Sequence, residues 1–180
     1  MTMDNGKISV RYARALLNLA RQEQCEQEVY EGLMRLTQNY DLAIAQFNEV
    51  LTNPIIGTEE KVNLVKAAVG EPLHPCLEHF IEFVAEQKRE SSIYRIAMKY
   101  QEMYRDSKDI LLTHVTTATE LPDETMRKLK GFVEQNFDCH AEMQITIDPS
   151  IIGRFILDIE NDRMDASVAG QLEALKKKLK

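Results

Sequence analysis

Apolar positions recur at helical spacing through the first 108 residues, and no alternating run of strand type interrupts them. The pattern predicts helices over residues 8–23 and 26–46, with a short third piece at 47–51. Asn53-Pro54 and Gly57 then break it. Thr58-Glu59-Glu60-Lys61 opens a fourth helix, with Thr58 as candidate N-cap and two acids in the first turn. That helix runs to Gly70. After Pro72 and Pro75 a fifth is expected over 76–88, and Ser91 or Ser92 can cap a sixth reaching residue 106. Short connections between helices of this length predict an antiparallel bundle of six.

The pattern changes after the polar joint Asp106-Ser107-Lys108-Asp109. Residues 110–119 are rich in Leu, Val and Thr, which favours a strand. Pro122 then stands near the first turn of a helix ending at Phe137. Met143, Ile145 and Ile147 alternate with polar neighbours as in a half-buried strand. Phe155, Leu157 and Ile159 alternate in another, and Glu160-Asn161-Asp162 reads as a hairpin turn leading to Met164-Asp165. Val168, Leu172, Leu175 and Leu179 draw one face of a closing helix. The expected fold is therefore mainly α: a six-helix bundle over residues 1–106, then a small α/β (α+β) domain over 107–180.

Two helices carry more apolar surface than one core needs. On the first, apolar positions cover about 220° of the wheel at about 100° per residue. Ile8, Tyr12, Ala15 and Leu19 form one edge; Val10, Ala13, Leu17 and Ala20 form the other, with Leu16 between. Arg11, Arg14, Asn18 and Arg21 fill the polar remainder. On the fifth, Leu77, Phe80, Ile81, Phe83, Val84 and Ala85 spread over about 200°. A surface helix needs a stripe of only about 100°. On the wheels alone, the commoner explanation is that both helices are central in the bundle and touch neighbours on two sides. The other is a groove for an amphipathic partner helix.

Composition narrows the function. The formal charge is −7, so general nucleic-acid binding, which needs clustered Lys and Arg, is disfavoured. Lys176, Lys177, Lys178 and Lys180 suit the last turn of a helix. Cys25, Cys76 and Cys139 are odd in number and scattered, which argues against a disulfide framework and for reduced thiols. No apolar run approaches the roughly 20 residues that span a bilayer. The first 20 residues lack the apolar stretch and cleavage site of a signal peptide.

Candidate chemistry is thin. His74, Cys76 and His79 cluster, but no second ligand pair of matching spacing follows, so no metal is expected. Cys139-His140 needs an acid alongside to act as nucleophile and base, and His114 needs the same to enter an active site. Asp158, Glu160 and Asp162 start like a calcium loop, but Arg163 stands where the turn Gly belongs and Ala169 where a bidentate Glu belongs. There is no phosphate-binding glycine loop, dinucleotide fingerprint or nucleophile elbow. Neither an enzyme nor a cofactor is expected.

Three stretches carry a resemblance. Arg11-Tyr12-Ala13-Arg14-Ala15-Leu16 is one; Asn53-Pro54 with Lys61, followed by residues 80–89, is the second. The third and most specific is Asp148-Pro149-Ser150-Ile151-Ile152-Gly153-Arg154-Phe155, then Asp165-Ala166-Ser167-Val168-Ala169-Gly170-Gln171-Leu172. In order and along the whole chain, these resemble the delta subunit of F-type ATP synthase, the family of the mitochondrial oligomycin-sensitivity-conferring protein. The signature positions are Gly153, Asp165, Ser167, Val168, Gly170 and Leu172. Arg154 stands where the family typically has Gly, and Ala169 and Gln171 where basic residues are common.

The resemblance implies a non-catalytic stator connector on the cytoplasmic face of a bacterial inner membrane, one copy per complex. Its helical domain would bind alpha-subunit N-termini at the catalytic head, and its α/β domain the b subunits of the peripheral stalk. The family's groove lies between the first and fifth helices, the two with overloaded wheels, and that agreement favours the groove. Tyr12, Ala15, Leu16 and Leu19 are then expected to line it with His79 and Phe83, and Arg89 to meet an acid on the incoming helix. Ala13, Leu17, Ile81 and Ala85 are expected in the core. A generic helical adaptor of an unrelated complex would use the same groove.

Overall fold

A computed structural model describes residues 5–149 and the backbone of 155–159. The chain divides into two compact units, Met1–Tyr104 and Arg105–Lys180. The first holds α1 (Asn5–Gln22), α2 (Glu26–Leu42), α3 (Ile44–Thr52), α4 (Thr58–Val69), α5 (Pro75–Glu86), a 3-10 turn (Glu90–Ser92) and α6 (Ile93–Ser107), whose last turn crosses the division.

Each helix end in this unit has a physical cause. Gln24 enters the left-handed region at φ 55°, which lets the Cys25 N–H reach back to the Ala20 carbonyl at 2.9 Å and stop α1. Gly70, at φ 66°, ends α4 and donates to the Lys66 carbonyl. His74 caps α5 by accepting the Cys76 N–H on Nδ1 at 3.2 Å, with Pro75 in the first turn. Gly57, and not Thr58, is the N-cap of α4; the Thr58 side chain makes no capping bond. Ser91 and Ser92 belong to the 3-10 turn that leads into α6.

The break after α2 falls at Ala43, earlier than the periodicity predicts, because α3 is a helix of its own from Ile44. Tyr40 stacks on Phe47 at 4.9 Å and on Tyr94 at 4.4 Å, and its hydroxyl hydrogen-bonds Asn48 Oδ1. Folding the chain back to make these contacts outweighs continuing the helix, and it leaves Leu42 and Ile44 exposed at the corner.

The core is built where α2 meets α4, α5 and α6. An ideal Cβ on Gly32 would lie 2.7 Å from Leu77 Cδ2 and 3.3 Å from Val69 Cγ1, so any side chain here would have to displace Leu77 within the packed core. Arg35 donates to the Val69 and Pro72 carbonyls, and Asn39 to Ala68, fastening α2 to the end of α4. From α6, Gln101 donates to the Leu33 carbonyl and to Thr37 Oγ1. Fully buried Tyr100 donates to the Glu26 carbonyl, and burial pushes its hydroxyl pKa well above the ordinary range. These polar atoms are satisfied inside the unit. A fragment covering residues 1–107 is therefore expected to unfold in one cooperative step by circular dichroism. A broad, non-cooperative melt would count against independent folding.

The second unit orders β1 (Ile110–Thr117), α7 (Asp123–Phe137), β2 (His140–Ile147) and β3 (Phe155–Ile159). The sheet order is β2-β1-β3. β1 and β2 are parallel from Ile110↔His140 to Thr117↔Ile147, and β1 and β3 antiparallel from Thr113↔Ile159 to Thr117↔Phe155. The crossover helix α7 starts at Pro122, whose carbonyl accepts the Thr125 and Met126 N–H groups, and ends where Asp138 adopts φ 49°. Leu129 and Val133 of α7 meet Leu111, Val115 and Ala141, with Phe132 and Met143 alongside. The whole is thus mainly helical with a small α+β part.

One strand departs from its pattern. Ala141 is buried and Met143 half-buried, but Ile145 and Ile147 are 49% and 48% exposed. Among the described residues α7 covers only the start of β2, so the alternation does not become burial at the far end. The hairpin at 160–162, the closing helix and the lysine cluster lie outside the described residues.

Candidate partner-helix groove

The edges of α1 separate sharply. Ala13, Leu16, Leu17 and Ala20 are buried, while Ala15 and Leu19 are exposed and Tyr12 is half-buried. Steps of three and four keep each set on its own side, so one helix serves the core with one edge and leaves the other open. α5 behaves differently. Leu77, Phe80, Ile81, Val84 and Ala85 are all buried, because this helix packs against α1, α2 and α4 together. Most of its wide arc is core; of its apolar arc only Phe83, 47% exposed, stays open, with exposed His79 beside it.

Between them lies an open apolar groove of about 560 Å³, lined by Arg11, Tyr12, Ala15 and Leu19 of α1 and by His79, Phe80 and Phe83 of α5. Tyr12 joins the walls: its ring centroid is 6.5 Å from Phe80, edge-on, and 6.1 Å from Phe83. Such aromatic contacts hold the walls at a fixed spacing. The Arg11 guanidinium lies over the Tyr12 ring at 5.9 Å.

One expectation needs correction. Leu16 is 0% exposed and packs into the core, since it falls on the inner side of α1, one residue round from Ala15. It cannot touch a partner in the folded chain. Arg89 is exposed three residues past the end of α5, at the start of the 3-10 turn and just outside the lining of the groove. Arg11 and Phe80 do line it. The wheel put Arg11 in the polar arc and Phe80 in an undivided apolar one, and only the crossing of the two helices shows that both border the same space. Gly153, Asp165, Ser167, Val168, Gly170 and Leu172, with Arg154, Ala169 and Gln171, lie outside the described residues.

The electrostatics behind the groove are settled within the unit. Lys66 of α4 bridges Glu78 at 2.8 Å and Glu82 at 2.7 Å, both on α5. These hydrogen bonds raise the Lys66 pKa and hold the Glu78 carboxyl below the usual carboxylate range.

The residues weighed for chemistry go to separate places. His74 Nδ1 is occupied as a helix cap, Cys76 is buried in hydrogen-bond contact with Cys25, and His79 stands on the groove wall. Among the described residues no three His, Cys, Asp or Glu side chains are grouped to hold a metal ion. Burial, with Cys25 adjacent, pushes the Cys76 thiol up to about 12. Cys139 is half-buried, and burial together with Glu134, Asp138 and Asp109 raises its pKa, the reverse of an activated nucleophile. A neutral alkylating reagent at pH 8 is expected to label Cys139 at least about tenfold faster than Cys25 or Cys76, since reaching those two requires local opening. Peptide mass spectrometry over time reads this directly, and equal rates would contradict the buried placement.

In the second unit, His140 and Glu142 line a shallow cavity of about 410 Å³ with Arg127 and Lys130. His114 lies elsewhere, in the middle of β1, opposite Gln144 of β2 and Asp158 of β3. Of these groups only His140 lines that cavity; His114 and Cys139 do not.

Comparison with known proteins fits this architecture. A chain in the cryo-EM structure of the Toxoplasma gondii mitochondrial ATP synthase hexamer shares the fold, with TM-score 0.65 and 20% identity over 95% of this chain and 96% of that one. The ATP synthase subunit delta of Phocaeicola vulgatus is 34% identical over 95% of this chain and 92% of its own length. That of Parabacteroides distasonis is 34% identical over 97% and 96%. The family model for the ATP synthase delta (OSCP) subunit matches residues 8–179, and the chain belongs to that family.

Proposed function

We propose that this chain is a non-catalytic connector in the stator of an F-type ATP synthase, with α1 and α5 holding the N-terminal helix of an alpha subunit and the second unit gripping the b-subunit stalk. The observation that supports this most is the apolar α1–α5 groove, in a chain whose family is that of the delta subunit. On this reading the first unit is the family's six-helix bundle, residues 1–106, and residues 107–180 are the stalk-binding domain. The work is mechanical. A turning rotor drags the catalytic head, and the connector must hold the head for many turnovers, so slow dissociation matters more than fast capture. A well-packed, desolvated apolar contact has that kinetic character. The preset Tyr12–Phe80–Phe83 cluster lowers the ordering cost when a helix docks.

No bond is made or broken by such a subunit, and its family is structural. Among the described residues no helix is long and apolar enough to cross a membrane, so the chain would reach the bacterial inner membrane's cytoplasmic face through its partners. Pull-down of the tagged chain from solubilised membranes, read by mass spectrometry, is expected to recover the alpha and b subunits together. Recovery of an unrelated complex in their place would favour the generic adaptor.

A further inference from the structure

The groove has an electrical asymmetry that its apolar lining does not explain. In a chain of formal charge −7, α1 carries Lys7, Arg11, Arg14 and Arg21 and no Asp or Glu at all. Lys7, Arg11, Arg14 and Asn18 follow one another at steps of four, three and four, all exposed, so they form one row beside the Ala15–Leu19 edge. Arg11 belongs to the groove wall itself, and neither it nor Arg14 has an ion pair among the described residues. The facing helix does not balance this row. Glu78 and Glu82 are both held by Lys66 from α4, and Glu86 stands at the end of α5, outside the lining.

We infer that the groove selects an amphipathic helix whose apolar stripe is flanked by a row of acidic side chains, seated with that row along α1. This rests on the reading of the groove as a partner-helix site and adds what that partner must look like. The apolar stripe gives most of the affinity, while the cationic row discriminates: a Lys or Arg row on the incoming helix meets like charge beside a desolvated surface. Arg11 carries the largest share, because it alone of the row lines the groove, and docking would partly shield it from solvent.

The test uses two synthetic peptides with one shared Leu–Ile stripe, flanked by Glu in the first and by Lys in the second. They are titrated calorimetrically into the full chain at low salt. The Glu peptide is expected to bind roughly fivefold tighter than the Lys peptide, a preference that shrinks as salt is raised. Arg11→Glu is expected to reverse the order while leaving the far-ultraviolet circular dichroism unchanged, since Arg11 is exposed. Equal affinities for the two peptides in the native chain, or the same preference after Arg11→Glu, would overturn the inference. Phe83→Ala separates the two levels of the reading. Weaker binding of both peptides with their ratio intact supports the groove. No binding of either peptide to the native chain overturns groove and charge selection together.

Discussion

Lys61→Met is expected to destabilise the chain by about 3–5 kcal/mol, the cost of leaving a buried charge without its partner. Lys61 of α4 reaches Glu90 in the 3-10 turn at 2.7 Å, and the two side chains are only 8% and 14% exposed. Val62, Val65, Val84, Ala85 and Ile93 surround them. Glu90 Oε2 is buried with no hydrogen-bond partner among the described residues, so Lys61 is what compensates that carboxylate. Methionine replaces the lysine's apolar stem well and removes only the charge. For a domain of this size each kcal/mol shifts the midpoint by roughly 4–8 °C, so the thermal transition should fall by at least about 12 °C. Lys61→Met with Glu90→Leu should regain most of the loss, because an apolar pair of similar volume avoids desolvating two ions. A single variant within about 1 kcal/mol of the native chain, a level typical of exposed pairs, would mean that the bridge is effectively solvated. The site depends on this bridge indirectly: it clamps α4 to the segment that ends α5, the wall that carries Phe83.

How much of this was legible depends on the range of the force involved. Helix periodicity is local, and among the described residues it located the helices to within a few residues. The exception is the α2–α3 corner, where Ala43 has neither Gly nor Pro nearby and the bend is fixed by Tyr40 stacking on Phe47 and on the distant Tyr94. The two wide apolar arcs were legible, but their division was not equally so. On α1 the edges differ in chemistry, Tyr12 and Ala15 against Ala13 and Leu17, and the structure puts the second pair in the core. Leu16, on the boundary, could be assigned only by knowing where α2 and α5 lie. On α5 an unbroken run of Phe, Ile and Val gives no such clue, and the bland explanation, a central helix touching several neighbours, accounts for five of its six apolar positions. Charge partners were the least legible. Lys61–Glu90 spans 29 residues and Lys66–Glu82 spans 16, and neither separation has a helical period to betray it.

Ala15→Asp is the substitution that tests the face assignment, and it should leave the fold standing while abolishing useful affinity for a docking helix. Ala15 is exposed on the groove wall between Tyr12 and Leu19, so an aspartate there keeps its hydration in the free chain. The folding cost is then only the weaker helix propensity of Asp, about 0.5 kcal/mol. Docking would strip that water and lay an apolar stripe over an unpaired carboxylate, at a cost of about 2–4 kcal/mol. That corresponds to roughly a thirty- to several-hundred-fold rise in Kd. Arg11 lies one turn away on the same side and can offset a fraction of this, which makes the lower end of the range the expected one when salt is low. The neighbouring position gives the contrast. Leu16→Asp places the same charge at a fully buried site and should prevent a cooperative fold. Calorimetric titration with an alpha-subunit N-terminal peptide, alongside a thermal melt of each variant, reads both effects. Ala15→Asp binding as tightly as the native chain would remove this edge of α1 from the interface. Ala15→Asp failing to fold would mean that the two edges of the helix are interchanged.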